Sequence, residues 1–597
     1  MTTLICDLES DNFLHSMTRI WCIQIGNAST DEVTVYADQP GFPPLSEAIA
    51  RIQSADETVW HNGLGFDWWA LEKFYPGAVD RSRILDTLVM ARLSQPEERD
   101  HSLRAHGSRL GILKGIYQGD FQTFNDDLVT YARQDIEVGR ALYNSVKHVR
   151  TWGVSCALEH EVAFALILQE RNGFCFNEPA AITLEGELRG EQAALETELK
   201  AAFPPRWVPL RVNGKPVVQI PKVRNSKLGT SVGAPYTKVV LEVFNADSRQ
   251  QVASRLQKLG WKPRSFTPDG HPIVDEKTLA TLRAPEAAVL RRHFRLSKQL
   301  GQLSDGKGGW LKMIKNGRIH GRVNPNGALT GRMTHSKPNV AQADKNERMR
   351  ALWIPRPGWA LVGCDAEGIE ARMLAHYLSR WDKGALADML LNGDKAKGTD
   401  VHSANATAVR KAGFVVNRDG AKVLLYALMY GAGDVKLGSI VIENLRDQKL
   451  PTSRLPPRET GALVRRALSS SMTGIAKLTE ATAARVRAKQ PLIGLDGRKL
   501  YARGANSSLN TLLQAAGAVA MKVALKLFMD IHEPTHGTTW ALCANIHDEV
   551  EMECEPEIAD ALGTSFADCI AQAGVELNVK CPLAGAYSVG SNWSECH

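Results

Sequence analysis

Two short apolar runs far apart in the chain each lead to an acid. Ala360-Leu-Val-Gly-Cys364 reads as a buried strand that delivers Asp365 at its end, with Glu370 and Arg372 at the start of the helix behind it. Trp540–Ile546 is a second apolar strand. It continues through Asn545-Ile546-His547-Asp548-Glu549 into renewed alternation at Val550 and Met552, so residues 541–554 read as a hairpin with acids at its tip. An Asp-Glu at a hairpin turn is by itself more often structural than functional. Paired aspartates from two strands are nonetheless what two-metal phosphoryl transfer requires: one ion lowers the pKa of an attacking hydroxyl, and both neutralise charge on the phosphate. Between the strands the pattern is mostly helical. There, residues 418–431 place Arg418, Lys422, Tyr426 and Tyr430 four apart in an otherwise apolar run. A step of four advances about 400° on a helix, so these side chains form one slowly drifting stripe roughly 18 Å long. That length suits a nucleotide, with two cations for a triphosphate and two rings for a sugar and base; spacing alone equally suits a core helix with a basic edge.

The rest of the chain narrows the choice. At 597 residues it should hold about two to four domains. A net charge of +7 fits a polyanionic partner without requiring one. Ten scattered cysteines with no Cys-x-x-Cys pair read as free thiols of a reducing compartment, with neither a zinc site nor a disulfide framework. Asp7 and Glu9 stand at the very start and no apolar run reaches about 18 residues, so neither a signal peptide nor a membrane span is expected, and the protein is expected in the cytoplasm. Strands at Leu4–Leu8, Trp21–Ile25 and Val33–Tyr36 followed by helical sequence make the first 150 residues α/β. Helices follow at Leu158–Glu170, after Pro179 toward Leu199, at Ser248–Leu259 and at Glu286–Leu300; a strand-like run lies at Arg318–Val323. Residues 199–241 contain no Asp or Glu and carry Lys200, Arg206, Arg211, Lys215, Lys222, Arg224, Lys227 and Lys238, which suggests an exposed basic loop or small β ribbon placed to meet phosphates. A polar, Pro-rich stretch at Asn444–Thr460 reads as a surface loop.

A second set of acids lies near the start. In Ile5-Cys6-Asp7-Leu8-Glu9 the two carboxylates project from one strand face. Trp60-His61-Asn62-Gly63 precedes Phe66-Asp67, and Tyr131-Ala-Arg-Gln-Asp135 sets a tyrosine and a carboxylate one helical turn apart. Singly, Asp135 reads as a helix-face acid and Asp67 as a turn residue or N-cap; Asp86 reads as structural. Together and in this order they resemble the three exonuclease motifs of the DEDD superfamily in its Tyr-bearing form. That resemblance implies that Asp7, Glu9, Asp67 and Asp135 hold two divalent ions while Tyr131 orients the attacking water.

The remainder resembles the A family of DNA-dependent DNA polymerases. Its three motifs are matched by Asp365 through Arg372, Arg418 through Gly431, and His547-Asp548-Glu549. Thr330-Gly331-Arg332 with Pro338-Asn339 and Gln342, Asp400-Val401-His402, Gly494-Leu-Asp-Gly-Arg498 and Asn510-Thr-Leu-Leu-Gln514 follow in the family's order. Asn324-Pro325-Asn326-Gly327, Tyr430-Gly-Ala-Gly433 and Asn592-Trp593 are most similar to the replicative enzymes of short-tailed bacteriophages. The resemblance implies a multidomain α/β and α+β fold: an RNase H-like exonuclease at 1–150, then a right hand with thumb at 151–310, palm at 311–384 and 510–597, and helical fingers at 385–509. The palm would be an antiparallel sheet assembled from two separated stretches.

Roles follow from the same resemblance. Asp365 and Asp548 would bridge two Mg2+, with Glu549 in support, and the exonuclease would take two more; Mn2+ is an alternative ion. His402, Arg418 and Lys422 would contact the incoming triphosphate, Lys422 also protonating the leaving pyrophosphate. Tyr426 would lie against the deoxyribose, and Glu370 would fill the space of a ribose 2'-hydroxyl. Tyr430 would stack beside the template, and Arg332, Asn510 and Gln514 would touch the minor groove, where acceptors common to all correct pairs report geometry without sequence. Primer-template DNA and deoxynucleoside triphosphates are the expected partners, with a phage helicase-primase and a single-strand binding protein beside them. Some phage relatives recruit host thioredoxin through a thumb insertion, but residues 204–243 are short for one, which counts against that partner. The rivals are a single-subunit RNA polymerase, against which Glu370 and the attached exonuclease argue, and a DNA-binding exonuclease with an inactive hand.

Overall fold

A computed structural model describes residues 2–596 apart from 113, 114, 116, 228, 264, 281, 283 and 452. The chain divides into two compact units: Met1–Cys175 with His320–Gln342 and Trp353–His597, and Phe176–Ile319 with Ala343–Leu352. Helix Ser155–Asn172 lies in the first unit, where it packs on the long helix Ser508–His532 and on strand Trp540–Ile546.

The first unit holds two main sheets. One has five strands, β1 (Thr3–Ser10), β2 (Ile20–Asn27), β3 (Val33–Tyr36), β4 (Glu57–Trp60) and β5 (Ile84–Asp86), in the order β3-β2-β1-β4-β5. β2 runs antiparallel to β1, and β4 parallel to it. Alternation along β1 divides its side chains between two cores. Leu4, Cys6 and Leu8 join Ala70 and Leu71 of α1 (Asp67–Phe74), whereas Ile5 joins Met90 of α2 (Thr87–Ser94) and Ile136 and Leu142 of α3 (Asp126–Val146). The sequence signals β1 to β3 but neither β4 nor the three-residue β5. α4 (Ser155–Asn172) packs on α2 of this lobe, with Cys156 and Ala163 in its two cores.

The second sheet is antiparallel and draws on both ends of the remaining chain, as expected for a palm built from separated stretches. β6 (Ala360–Ala366) lies between β8 (Glu549–Cys554) and β9 (Gly585–Gly590), and β7 (Trp540–Ile546) closes the hairpin with β8. Val362 and Cys364 of β6 and Val550 and Met552 of β8 share a core with α5 (Ile369–Asp382), α10 (Ser508–His532) and α11 (Ala559–Glu576). The edge strand β9 has few apolar residues and gives no strand signal. α10 lies within a helical stretch, Ala505–Thr535, that is long and apolar enough to cross a membrane, contrary to the sequence expectation; 83% of its apolar window is buried inside the fold, as befits a core helix.

Between the two halves of this sheet lies the helical block, including α6 (Val401–Lys411), α7 (Arg418–Met429), α8 (Asp434–Asp447) and α9 (Pro457–Ser471). The surface loop expected at Asn444–Thr460 is shorter, because α8 runs on to Asp447 and α9 begins at Pro457; Thr452 within it lies outside the described residues. α8 and α9 meet backbone to backbone. A Cβ on Gly438 would lie 1.8 Å from the Pro457 carbonyl oxygen, and one on Gly461 1.7 Å from that of Asp434.

In the second unit, helices Glu178–Ala202 and Pro285–Leu300 pack together and are tied by Arg292 and Glu198 at 2.8 Å. Residues 206–242 form short exposed strands, with Arg206–Pro209 paired to Val239–Glu242. The basic segment thus combines a small ribbon with loop, Lys222, Arg224 and Lys227 lying outside its strands. The close approach of α8 and α9 gives a test: Gly461→Ala forces the helices apart and should lower stability by about 1–3 kcal/mol. Denaturant unfolding, followed by hydrogen exchange over residues 434–471, reads this directly.

Candidate active sites

Three of the four N-terminal acids converge. Asp7 and Glu9 share the face of β1 that carries Ile5, and that face meets α3, which brings Asp135. One carboxylate oxygen from each lies within 4.8 Å of those of the other two. Three hard oxygen donors at this spacing fit a divalent cation. Tyr131, one turn before Asp135, sits near Tyr117 and Phe121, with ring centroids 5.9 and 6.4 Å away.

Asp67 stands outside that trio. It is buried at the start of α1, and its carboxylate accepts the Leu8 backbone N–H, on β1 beyond the last pairing with β4 at Ile5. Burial pushes its carboxyl up to about 7, against the pull of its own backbone N–H; nearby Asp86 adds to the rise, and the Leu8 bond opposes it. Asp86 itself N-caps α2 and also accepts from Asn62 N at 2.9 Å and Leu64 N at 3.1 Å, the structural role its sequence context suggests.

The second set of acids forms around one backbone bond. Asp365 pairs with Glu549 across β6 and β8, and the Ala366 N–H donates to the Asp548 carbonyl at 2.9 Å. Asp365 and Asp548, remote in sequence, are thereby neighbours at the end of the sheet. Burial raises the Asp548 carboxyl above its ordinary value; Arg332 and His547 oppose the rise, and Glu370 adds to it. Glu549 has a different task from the two aspartates. Its carboxylate accepts the Trp593 indole N–H at 2.6 Å in a buried setting. This bond ties the C-terminal segment to the hairpin, in keeping with a supporting or structural role for Glu549.

Around this pair lie Glu370, Arg332, Tyr426 and Tyr430. Glu370, buried at the start of α5, accepts from Arg332 Nη2 at 2.5 Å and from the Tyr430 hydroxyl. Burial, with Glu370 and Asp548 nearby, raises the Tyr426 phenol. Tyr430 is the cap of α7 and not part of it: Gly431 takes φ +75° and the Ala432 N–H closes back on Ala427 O at 2.9 Å. Its hydroxyl is therefore directed to Glu370, while the ring remains half exposed.

At the other end of the stripe, Arg418 Nε donates to Asp400 at 3.1 Å. Asp400 N-caps α6 and accepts from His402 N, Ser403 N and the Ser403 hydroxyl. Burial raises its carboxyl, but the bonds from Ser403, Arg418 and His402 outweigh this and bring it to about 2. His402 is held below its ordinary pKa, by burial and then by Arg418. Lys422 is exposed on the same face, opposite buried Leu424, Leu425 and Leu428. Asn510 and Gln514 lie one turn apart on α10; Asn510 Oδ1 is buried with no partner among the described residues. Sequence reasoning assigns no role to Asp400 or Trp593. Asp400 carries a signal, an aspartate immediately before a helix, but Trp593 carries only its place near the end.

Residues 231–595 match the family model of DNA polymerase family A. The chain belongs to that family. It is 31% identical to the DNA-directed DNA polymerase of Enterobacteria phage T3 and 30% identical to that of Escherichia phage T7, each alignment covering all of both chains. Its fold is similar to the POL domain of Pol1 from M. smegmatis, solved in complex with DNA primer-template and dNTP, at a TM-score of 0.72 and 16% identity over 100% of this chain and 96% of that one. Asp365, Asp548 and α7 all lie within the matched residues.

Trp593→Phe removes the indole N–H along with part of the ring, leaving a buried carboxylate short of a partner. Stability should fall by about 1–3 kcal/mol, measured by denaturant unfolding; an unchanged midpoint would show that the bond is idle.

Proposed function

We propose that this chain is a template-directed DNA polymerase that replicates viral DNA and proofreads in the 3'–5' direction. The observation that carries the reading is the junction of Asp365 and Asp548 beside a helix that presents cations at one end and aromatic rings at the other. In this reading residues 1–150 are the exonuclease and 151–310 the thumb, with its basic ribbon on DNA. Palm and fingers follow, the palm at 311–384 and 510–597 and the fingers at 385–509.

Asp365 and Asp548 offer only carboxylate oxygens, the donor type Mg2+ takes, and are the residues that would hold two such ions. When bound, those ions activate the primer 3'-hydroxyl and neutralise charge on the transferred phosphate. The protein's own groups do the rest. Arg418, fixed by Asp400, and Lys422 grip the triphosphate with His402, and Lys422 supplies a proton to the departing pyrophosphate. Tyr426 packs on the deoxyribose. Glu370, clamped by Arg332 and Tyr430, occupies the volume a 2'-hydroxyl would need, which disfavours the RNA polymerase alternative. Tyr430 borders the template position, and Arg332, Asn510 and Gln514 probe minor-groove acceptors. A frayed primer end is hydrolysed at Asp7, Glu9, Asp67 and Asp135, which would hold the exonuclease pair of ions, with Tyr131 aiming the water. Partners in this setting are primer-template DNA, a phage helicase-primase and a single-strand binding protein in the cytoplasm of a bacterial host; the short 204–243 segment argues against thioredoxin.

Asp365→Ala should abolish primer extension, a loss of about a thousandfold or more, and leave 3'–5' degradation of single strands intact. The double change Asp7→Ala and Glu9→Ala should do the reverse. Extension by Asp365→Ala at the parental rate would refute the assignment of the polymerase pair.

A further inference from the structure

A buried, charge-balanced cluster lies apart from both sets of carboxylates, within the first unit. Glu159 on α4, Asp496 and Arg498 in the turn at 494–498, and Lys522 on α10 are all buried. Lys522 Nζ donates to Glu159 Oε1 at 2.5 Å and to the Gly331 carbonyl at 2.8 Å. Arg498 pairs with Asp496 at 2.6 Å and Glu159 at 2.7 Å, and its Nη1 reaches Asn326 Oδ1 at 3.3 Å. Asn326 Nδ2 in turn donates to the Arg92 carbonyl near the end of α2 at 2.9 Å.

Two acids and two bases cancel in charge, but burying them carries a desolvation cost that apolar side chains of similar volume would avoid. Stability alone therefore does not account for the set. What it grips is one turn, residues 326–332. Asn326 is held at the start, and Gly331 at the end. Gly331 takes φ +71°, and a Cβ there would lie 2.5 Å from Arg498 Nη1, so the turn and the cluster are fitted to each other. The next residue is Arg332, whose guanidinium bonds Glu370, which in turn bonds Tyr430. Side-chain hydrogen bonds, joined by the backbone step from Gly331 to Arg332, thus run from the Arg92 carbonyl beside the exonuclease-like lobe to the end of the nucleotide stripe.

We infer that Lys522, with Glu159 and Arg498, is a positioning residue for base-pair selection: by fixing the Gly331 carbonyl it sets the backbone from which Arg332 reaches Glu370 and the minor groove of the newly formed pair. The inference rests on the reading of Arg332 and Glu370 proposed above. Lys522 does not touch DNA or nucleotide. It acts through the turn, so its loss should change the preference for correct over incorrect pairs more than it changes the basal rate.

The test uses the full chain carrying Asp7→Ala and Glu9→Ala, so that removal of mispairs does not mask their formation. The charge-balanced variant Glu159→Gln with Lys522→Met is compared with Arg332→Ala and with all three changes combined, by kcat/KM for a correct and a mispaired nucleotide. Discrimination should fall about tenfold in Glu159→Gln/Lys522→Met and by at least as much in Arg332→Ala, with no further loss in the combination, since residues acting in one chain are not additive. If Arg332→Ala leaves discrimination unchanged, the role of Arg332 fails. If Arg332→Ala lowers it but a folded Glu159→Gln/Lys522→Met does not, the positioning role is overturned. Thermal unfolding checks the fold; should that variant not fold, Asn326→Ala cuts the same chain without stranding a buried charge. Its discrimination should fall about threefold, and an unchanged value overturns the inference.

Discussion

The hydrogen bond from the Ala366 N–H to the Asp548 carbonyl is small, yet the hand is organised around it. It closes a register of six pairs between β6 and β8, from Ala360 and Cys554 to Asp365 and Glu549. A slip of one residue would turn Asp365 to the opposite face. Register is protected from both sides. Val550, Met552 and Cys554 lie in the helical core, whereas Glu549, Glu551 and Glu553 alternate with them, and a Cβ on Gly363 would lie 2.7 Å from the Cys596 carbonyl oxygen. Glu549 bonds Trp593 and Glu553 bonds Arg356, so the polar face of the hairpin is tied at one end to the C-terminal segment and at the other to the bend before β6. His547, at φ +61° in a two-residue turn where glycine is usual, completes the tip that holds Asp548.

The two sets of acids reach similar donor chemistry by different means. At the N-terminus a strand face meets a helix, and Asp7, Glu9 and Asp135 come together across that contact. Asp67 is set apart from the trio, buried and bonded to the Leu8 backbone. In the palm two strands meet edge to edge, and the acids stand at their ends. Glu370 then connects the palm to the stripe: one carboxylate holds Arg332 and Tyr430 at once, so its position depends on both the 326–332 turn and the end of α7.

Much of this was legible in the sequence where a period met an acid or a cation. Asp365 and Asp548 follow strand-like runs, and Arg418 to Tyr430 show a fourfold step, so their elements could be read without tertiary information. Residues whose meaning lies in a distant partner were not readable. Trp593 is informative only once Glu549 is beside it, and Lys522 looks like an exposed lysine in an apolar helix until Glu159 and the Gly331 carbonyl are found around its ammonium group. β5 and β9 escaped notice because one is only three residues long and the other is a polar edge.

In the function proposed above, one chain carries two carboxylate sites, one joining phosphodiesters and the other cleaving them. Both are read at once by following the unaltered protein with Mg2+ and all four deoxynucleoside triphosphates on two primer-templates, one matched and one with a 3' mismatch. The matched primer should be extended immediately, and the mismatched primer should lose its terminal nucleotide before extension. Extension that retains the mismatch would contradict the cleaving site, and shortening of both primers without extension would contradict the joining site.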